Sequence, residues 1–429
     1  MKMKPNAAYD NCLTTLYGLS RFGIKLGLFS IQKIAESLGN PQDRFKCIHV
    51  AGTNGKGSIA SALSSILQAS GYRVGLYTSP HLIHFNERIR INNQCISNDE
   101  VLTSYEAVKS AGDPAAPLTF FEYTTAMAFY AFADRNVDWA VIETGMGGRL
   151  DATNIITPSI SIISNVSLEH QKYLGNTIGR IAGEKGGIIK NDTPLVTGVR
   201  QKNALSVLEK IAAAKSSPIY RYTKEFRVRK NREEKFTYFG IENIWHDMHT
   251  GLPGDHQIDN AALVLAACEL LKENRADLSP ANIKKGLAQT SWPGRLEIVS
   301  KSPLILIDGA HNLMGARNLK KFLLKNLTER KITLITGILN DKPYKAMLRC
   351  LLPVCDRVIL TRPKIDRALP PERLYTVAKK ILPNSLVIPD VRSALAYAVE
   401  TVFSRNAICI AGSLYLVGEI KEALLEKNV

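Results

Sequence analysis

A ten-residue run around position 50, His49–Ser58, constrains this chain more than any other part of its sequence. It reads His-Val-Ala-Gly-Thr-Asn-Gly-Lys-Gly-Ser, follows the apolar pair Cys47-Ile48 and precedes a helix-patterned segment, residues 59–69. In a strand, glycine-rich turn and helix of this order, backbone N–H groups converge on phosphate oxygens, and the helix N-terminus adds partial positive charge. The run therefore predicts a phosphate-binding loop.

The spacing of this loop departs from the usual pattern, which has four residues between its first glycine and the Gly-Lys pair. Here two residues separate Gly52 from Gly55-Lys56, and a further glycine precedes Ser58. A turn that binds nothing is the alternative interpretation. Because the lysine is placed to reach outer phosphates and the serine to face a magnesium ion, we expect nucleotide binding.

The length of 429 residues exceeds what one hydrophobic core usually serves, so two domains are expected. Apolar runs alternate with helical patterns, and several are continuous, as in parallel strands covered on both faces. Candidate strands are 47–50, 74–77, 139–142, 160–163 and 195–197, then 303–307, 332–336, 358–361, 386–388 and 407–410; residues 226–238 alternate as in an antiparallel strand pair, and 260–271 and 283–289 have helical patterns. A breaker segment, Trp292-Pro293-Gly294-Arg295, indicates domains at 1–292 and 293–429, both α/β.

The formal net charge of +16 is compatible with a nucleic-acid partner, with small acidic substrates or with a merely solvated surface. The densest basic run, Arg221–Arg232, carries no zinc finger or RNA-binding signature, so no nucleic-acid partner is expected. The seven cysteines are scattered without a Cys-x-x-Cys pair, which favours a reducing cytoplasm over a disulfide framework. No apolar run is long enough to span a bilayer, and no apolar signal segment follows the basic start of the chain, so no membrane is expected.

Polar residues follow the candidate strands 139–142, 160–163 and 303–307. Ligands of parallel sheets gather at such strand ends. Glu143 ends an apolar strand before the glycine-rich run 144–148. It is either a magnesium ligand or a strand-end charge that only aids solubility. His170 is open to three interpretations: metal ligand, general base or surface histidine. Because magnesium prefers oxygen donors, a histidine ligand would imply a second metal position. By itself, Lys185 belongs to an ordinary helix end.

Asp308 and His311 follow the strand-like run 304–307 in the second block. Asp308 either caps the next helix or grips a nucleotide together with His311. Arg295, in the breaker segment, is either a linker charge or a partner for a phosphate chain.

Several short motifs follow one another along the chain, and their combination and order are specific to one family. They are 52–58 (Gly-Thr-Asn-Gly-Lys-Gly-Ser), 77–82 (Tyr-Thr-Ser-Pro-His-Leu), 85–89 (Phe-Asn-Glu-Arg-Ile), 119–122 (Thr-Phe-Phe-Glu), 143–154 (Glu-Thr-Gly-Met-Gly-Gly-Arg-Leu-Asp-Ala-Thr-Asn), 293–295 (Pro-Gly-Arg) and 308–312 (Asp-Gly-Ala-His-Asn). With these motifs the chain resembles the folylpolyglutamate synthases, a family of Mur-ligase-like enzymes, and above all the bacterial bifunctional members that are also dihydrofolate synthases. The resemblance extends to Gly412-Ser413-Leu414-Tyr415.

The resemblance implies an α/β fold with an N-terminal P-loop ATPase-like Mur-ligase central domain, a smaller C-terminal Rossmann-like domain and an active site in the cleft between them. It implies a cytoplasmic, monomeric ligase of folate biosynthesis and one-carbon metabolism. Such an enzyme joins L-glutamate to dihydropteroate and to tetrahydrofolate (poly)glutamates through an acyl phosphate, using ATP and two Mg²⁺. The alternative is a folylpolyglutamate synthase without dihydrofolate synthase activity.

The resemblance also implies roles for particular residues. The implied ATP contacts are Asn54, Gly55, Lys56, Gly57, Ser58, Asn260, Arg295 and Asp308; the implied magnesium ligands are Ser79, Glu143, His170 and a carbamylated Lys185; the implied pterin-side pocket comprises Thr119, Phe120, Phe121, Glu122, Leu150, Asp151 and Ala152. The implied catalytic set is Lys56, Lys185, His170, Arg295 and His311. Where the family often has proline after the 308–312 motif, this chain has Leu313, a variation at the start of a helix, and no motif aligns over 226–249.

Overall fold

The computed structural model describes residues 7–426 apart from 20–22, 24, 26, 114, 232–233 and 274–275. The chain divides into two compact units, one of Met1–Gly251 with Gln257–Ser291 and the other of Leu252–His256 with Trp292–Val429. Both units are built from alternating strands and helices, as the alternating apolar patterns predict. In the part of the chain described, no helix has the length and hydropathy needed to cross a membrane.

The elements are numbered in chain order. The helices are α1 (Ala7–Gly18), α2 (Phe29–Ser37), α3 (Lys56–Ala69), α4 (Asn98–Ala111), α5 (Phe120–Asp134), α6 (Gln171–Leu174), α7 (Ile178–Gly186), α8 (Lys202–Ala214), α9 (Asp255–Glu273), α10 (Pro280–Gln289), α11 (Leu313–Asn326), α12 (Tyr344–Leu351), α13 (Pro371–Ala378), α14 (Val391–Thr401) and α15 (Leu414–Glu426). The strands are β1 (Lys46–Ala51), β2 (Val74–Tyr77), β3 (Ile89–Ile91), β4 (Gln94–Cys95), β5 (Trp139–Glu143), β6 (Ile160–Ile163), β7 (Leu195–Thr197), β8 (Ile219–Arg221), β9 (Arg227–Lys230), β10 (Phe236–Phe239), β11 (Ile244–Met248), β12 (Glu297–Lys301), β13 (Leu304–Ile307), β14 (Ile332–Thr336), β15 (Arg357–Leu360), β16 (Ser385–Val387) and β17 (Ala407–Ala411).

The first unit is organised around a sheet with the strand order β4-β3-β2-β5-β1-β6-β7-β8. The strands from β2 to β8 pair in parallel, and β3 and β4 complete one edge in antiparallel fashion. The central strands β1, β5 and β6 are buried over nearly their whole length, which explains their continuous apolar sequences. Their register places Val50 beside Glu143 and Ala51 beside Ile163, so the segments that leave these strands emerge side by side.

Helix α3 packs against α10 at a close backbone approach. A Cβ added to Gly286 of α10 would lie 2.5 Å from the Cα of Ile66, so no larger side chain fits there. The hydroxyl of Ser65 donates to the carbonyl of Gly286 at 2.7 Å. The approach holds α3, and with it the loop at its N-terminus, against the rest of the unit.

A separate antiparallel sheet, β11-β10-β9, accounts for the segment 226–249 in which no motif aligns. It is joined to α9 through the buried carboxylate of Glu269. That carboxylate accepts hydrogen bonds from the hydroxyl of Tyr238 at 2.7 Å and from the backbone N–H groups of Ile241 and Asn243, both at 2.8 Å. One buried side chain thus accepts from several donors of the turn between β10 and β11.

The second unit has a sheet of order β12-β13-β17-β14-β15-β16, parallel except for the edge strand β12. Helix α11 follows β13 and begins at Leu313. Asn312 is its N-cap and accepts a hydrogen bond from the N–H of Gly315 at 2.9 Å. Leu313 therefore occupies the first helical position, where proline is favoured but other residues are tolerated. This agrees with the interpretation of Leu313 as a variation at a helix start.

We predict that Glu269→Ala lowers the free energy of unfolding by about 3 kcal/mol, because it leaves several buried donors without an acceptor. The shift in the urea or thermal midpoint of unfolding measures the effect. Glu242→Ala is the matched control, since this exposed glutamate lies in the same turn and should change the midpoint little. Equal midpoints for the two variants would contradict the assignment of Glu269 as the acceptor that holds the turn.

Candidate functional site

The loop between β1 and α3 has the backbone shape that its glycines predict. Gly52 has φ +151° and Gly55 has φ +86°. A Cβ on Gly52 would lie 1.9 Å from the Ser164 hydroxyl oxygen, and one on Gly55 would lie 2.6 Å from the Asn260 side-chain oxygen. Both positions therefore require glycine, for conformation and for space. The turn leads directly into α3, whose first residues Lys56, Gly57 and Ser58 present the free N–H groups of a helix N-terminus.

The carboxyl end of β6 holds this loop in place. The Asn165 side chain accepts from the N–H of Asn54 at 3.0 Å and donates to the Asn54 carbonyl at 2.9 Å. The Ser164 hydroxyl donates to the same carbonyl at 2.6 Å, and the Thr53 hydroxyl accepts from the N–H of Ser167 at 3.0 Å. The middle of the loop is thus fastened by side chains, leaving the N–H groups at the start of α3 for a ligand.

Glu143, Lys56 and Ser79 come together next to the loop. The Lys56 ammonium nitrogen lies 3.8 Å from one carboxylate oxygen of Glu143, and both side chains are largely buried. The backbone N–H of Ser79 lies 3.4 Å from the other carboxylate oxygen. Glu143, at the end of β5, is therefore buried beside a cation. A charge that only aided solubility would lie on the exposed surface.

Lys185 approaches the loop from α7. Its ammonium donates to the carbonyl of Gly52 at 2.8 Å, and the side chain is almost fully buried. Burial, with a further contribution from the charge of Lys56, lowers the pKa of Lys185 to about 7, although the charges of Glu169 and Asp151 oppose the shift. A lysine in this state is partly neutral near pH 7, so it is a nucleophile rather than only a fixed charge.

His170 is exposed and adopts a left-handed conformation, φ +51° and ψ +37°, immediately before the short helix α6. Such a backbone is uncommon for a residue other than glycine. Its neighbour Glu169 is close enough to Lys185 to influence its pKa, which places the 169–170 turn near the buried lysine. Among the residues described, no group of three or more His, Cys, Asp or Glu side chains forms a ready metal cluster.

The loop contacts α9 through a residue that the sequence analysis did not single out. The buried side-chain amide of Gln257 donates to the Ser58 hydroxyl at 3.2 Å and accepts from the Asn260 amide at 2.8 Å. Two predicted nucleotide-binding residues are thus linked through Gln257. The available signal is the spacing: two amides three residues apart lie on one face of a helix.

Thr119 and Glu122, predicted in the pterin-side pocket, form a capping box at the start of α5. The Thr119 hydroxyl accepts from the Glu122 N–H at 3.3 Å, and the Glu122 carboxylate accepts from the Thr119 N–H at 2.8 Å. The sequence Thr-x-x-Glu before a helix is the signature of this cap. Their side chains therefore set the direction of α5 and the position of Phe120 and Phe121, and a direct contact with substrate stays a prediction.

The aromatic residues that begin α5 lie beside other functional candidates. Phe121 approaches the glycine-rich segment 144–148 so closely that a Cβ on Gly145 would lie 2.5 Å from its ring. The guanidinium of the buried residue Arg88 lies 5.0 Å from the Phe120 ring centre, in cation–π geometry. Tyr17 stacks on the Phe120 ring at 5.8 Å. Sequence reasoning singled out neither Arg88 nor Tyr17, although Arg88 lies in one of the quoted motifs.

Leu150, Asp151 and Ala152 form the third part of the predicted pocket. Leu150 is partly exposed, whereas Ala152 is buried. Asp151 begins a single 3₁₀ turn, Ala152–Ile155, and its carboxylate accepts from the N–H of Thr153 at 3.1 Å. Burial raises the pKa of Asp151, although hydrogen bonds from Thr153, Met146 and Gly145 oppose the shift.

Arg295, Asp308 and His311 come together within the second unit. A Cβ on Gly309 would lie 1.9 Å from a guanidinium nitrogen of Arg295, so the cation lies directly over this glycine. The Asp308 carboxylate accepts from the N–H groups of Leu296 at 2.9 Å and Ala310 at 3.0 Å, whereas Asn312 caps α11. Asp308 is thus not the helix cap. Burial raises its pKa, which the charge of Arg295 opposes. The His311 Nδ1 lies 2.8 Å from the Gly309 carbonyl, so Nδ1 carries the proton.

Comparison with known proteins matches both units. Residues 50–268 match the Mur ligase middle domain, and residues 294–414 match the Mur ligase glutamate ligase domain. The dihydrofolate synthase/folylpolyglutamate synthase of Bacillus subtilis is 36% identical over 433 residues, covering 97% of this chain and 99% of that protein.

Two solved structures have the same fold over nearly the whole chain. Escherichia coli FolC in complex with DHPP and ADP matches with a TM-score of 0.90 and 28% identity, covering 97% of this chain and 98% of that one. Mycobacterium tuberculosis folylpolyglutamate synthase complexed with ADP matches with a TM-score of 0.90 and 32% identity, covering 96% and 98%. The resemblance and the fold expected from the sequence are confirmed: the chain belongs to the Mur ligase family, within its dihydrofolate synthase/folylpolyglutamate synthase group.

Proposed function

We propose that this protein is an ATP-dependent carboxylate–amine ligase that joins L-glutamate to dihydropteroate, giving dihydrofolate, and adds further glutamates to reduced folates. The observation that carries the proposal is the set of charged groups at the β1–α3 loop. Lys56 lies 3.8 Å from the Glu143 carboxylate, and the buried Lys185 lies 2.8 Å from the Gly52 carbonyl. Two cations beside a glycine-rich helix N-terminus suit a polyphosphate, and a buried carboxylate beside them suits its metal ion.

The reaction that this site supports has two steps. A carboxylate oxygen of the folate substrate attacks the γ-phosphorus of ATP, the bond to the β,γ-bridging oxygen breaks, and ADP leaves. The neutral amine of glutamate then attacks the acyl carbon, the amine proton is released, and phosphate departs with the oxygen that the substrate supplied. Positioning of the reactants and neutralisation of charge are what the protein contributes.

Residues of the chain divide this work. The N–H groups of Gly55, Lys56, Gly57 and Ser58 are oriented to hold phosphate oxygens, and the Lys56 ammonium faces the charge that develops on transfer. Asn54 and Asn260 complete the nucleotide contacts, Asn260 lying against Gly55. In the second unit Arg295, Asp308 and His311 form a compact polar group, for which we propose a nucleotide-binding and catalytic role.

The residues beside the loop fit Mg²⁺. Glu143 supplies a buried carboxylate, and Ser79, whose N–H lies 3.4 Å from it, supplies a hydroxyl. Because Mg²⁺ takes few protein ligands and completes its shell with phosphate oxygens and water, the lack of a three-residue acidic cluster among the described residues agrees with this metal. When bound, Mg²⁺ neutralises phosphate charge. We propose Ser79, Glu143, His170 and Lys185 as the ligands of two ions.

We propose that Lys185 works as a carbamate. The neutral amine adds to CO₂ and releases one proton, which turns a cationic side chain into an anionic oxygen donor. The lowered pKa of about 7 supplies the neutral amine that this addition needs. The exchange also replaces a buried cation next to Lys56 with an anion, which relieves the repulsion between the two.

We further propose a cytoplasmic monomer whose partners are small molecules: ATP, L-glutamate, dihydropteroate and tetrahydrofolate (poly)glutamates. In this proposal residues 1–292 bind ATP and 293–429 form the ligase domain, and no nucleic acid or membrane takes part. All seven cysteines have free thiols, as expected in a reducing compartment. A net charge of +16 suits substrates that are all anionic.

The proposed activity is tested by ADP release from the purified protein. We expect release to require glutamate together with either dihydropteroate or tetrahydrofolate; release that depends on neither folate would refute the assignment. Turnover on tetrahydrofolate alone would instead indicate a folylpolyglutamate synthase without the first activity. With ¹⁸O in the substrate carboxylate, one label should appear in each phosphate released, because the acyl phosphate transfers that oxygen.

We predict that Lys56→Ala lowers kcat for glutamate-dependent ADP release about 100-fold or more, since it removes a cation that faces the transferring phosphoryl group. Circular dichroism should show an unchanged fold. Lys202→Ala is the control, because Lys202 is an exposed lysine at the start of α8. Turnover of Lys56→Ala close to that of the control would remove Lys56 from the site.

We predict that Lys185→Ala is inactive and that short carboxylic acids such as acetate restore part of its turnover. The alanine leaves space where a free carboxylate supplies the oxygens that the carbamate provides in the unaltered protein. Lys190→Ala, tested with the same acids, is the control, since this half-buried lysine from the segment after α7 donates to the Asn154 carbonyl. Inactivity of Lys185→Ala without any rescue, or full activity without added acid, counts against the carbamate.

A further inference from the structure

A buried histidine lies in the middle of the central strand β1. His49 has no exposed surface, and its neighbours along the strand, Ile48 and Val50, are fully buried aliphatic residues. Its Nε2 lies 2.8 Å from the Thr153 hydroxyl oxygen, more than 100 residues away in sequence. The chemistry described above uses neither side chain.

The direction of the hydrogen bonds follows from the single proton of the Thr153 hydroxyl. That hydroxyl donates to the Asp151 carboxylate at 2.6 Å, so it has no proton left for the imidazole. The Nε2 of His49 must therefore carry the proton and donate to Thr153. The Nδ1, which is then an acceptor, has no hydrogen-bond partner within the described part of the chain. Burial, with the charge of Lys190 adding to it, lowers the pKa of His49 to about 3, so the ring is neutral.

Asp151 transmits this alignment to the glycine-rich segment 144–148. One oxygen of its carboxylate accepts from Thr153, and the other accepts from the N–H of Met146 at 2.8 Å. The adjacent residue, Gly145, is the one whose backbone lies against the Phe121 ring. Donation therefore runs from the strand interior through Thr153 to Asp151, and Asp151 also holds the loop segment that faces Phe121.

A purely structural role does not require the histidine. The 3₁₀ turn needs only the Asp151 carboxylate and the Thr153 N–H, and an aliphatic residue in β1 would avoid burying an imidazole with an unpaired nitrogen. What the imidazole adds is orientation, because its N–H makes the Thr153 hydroxyl point its proton at Asp151. We propose that His49 is a positioning residue for the folate-side pocket, aligning Asp151 through Thr153.

This inference rests on the proposed function and on the pterin-side pocket, with Phe121 and Asp151, that the family resemblance implies. The decisive pair of variants is His49→Leu and His49→Gln. Leucine has similar bulk and no donor, whereas the amide nitrogen of glutamine reaches the position of Nε2 and donates in its place. Ser161→Ala is the control: Ser161 pairs with His49 across β1 and β6, and its buried hydroxyl donates to the Ile188 carbonyl at 2.8 Å.

We expect His49→Leu to raise KM for dihydropteroate about fivefold or more, with KM for ATP and the thermal midpoint close to those of the unaltered protein. His49→Gln should restore KM for dihydropteroate. Ser161→Ala should lower stability and leave KM for dihydropteroate unchanged. An unchanged KM for dihydropteroate in His49→Leu, or a parallel rise for ATP, overturns the proposal.

A second measurement separates this inference from the proposed function. Amide hydrogen exchange of residues 144–153 should be faster in His49→Leu than in His49→Gln or the unaltered protein, since Asp151 holds the Met146 N–H less firmly. Equal exchange in all three overturns the positioning role whatever the enzyme does. Faster exchange in a protein that never releases ADP with a folate supports the positioning and refutes the proposed function.

Discussion

Positive charge held out of water at the end of β1 is the constraint on which the rest of the site depends. Lys56 and Lys185 are close enough for one charge to lower the pKa of the other, and Lys185 is nearly fully buried. Keeping two cations together at low dielectric is costly unless an anion or a change of protonation offsets it. The Glu143 carboxylate offsets part of this cost for Lys56. A phosphate chain, and a carbamate on Lys185, would offset the rest, which is why an ATP-dependent ligase explains this cluster better than a structural ion pair does.

The polar groups behind the site are arranged so that the ligand-facing groups stay free. Asn165 and Ser164 satisfy both polar backbone groups of Asn54, and Gln257 links Ser58 to Asn260. Because buried hydrogen-bonded networks have few alternative arrangements, they hold the loop in one conformation before any nucleotide arrives. Preorganisation of this kind reduces the cost of ordering the loop when the ligand binds.

Much of the fold was predictable because the apolar runs are so regular. The predicted strands 74–77, 160–163, 195–197 and 332–336 coincide with β2, β6, β7 and β14, and the others differ by one residue at one or both ends. The alternating segment 226–238 was correctly predicted as antiparallel, and it contains β9 and all but the last residue of β10. Helix α9 begins five residues before the predicted start at 260, because the polar first turn shows no apolar periodicity. The positions of Thr119 and Glu122 were evident, but their capping role competes with the pocket role that the family resemblance implies.

By itself the sequence determined the strand–loop–helix unit at 46–69, the parallel sheets and the membership of the family, since these depend on local patterns and on the order of motifs. Tertiary structure alone decided that Gln257 meets Ser58, that Arg88 faces the Phe120 ring and that His49 donates to Thr153. It also decided the ionisation of Lys185, because the pKa of an amine depends on the water and charge around it and not on its neighbours in sequence. Contacts between residues some 100 positions or more apart, as in the His49–Thr153 pair, arise from strand order and burial, which no local pattern encodes.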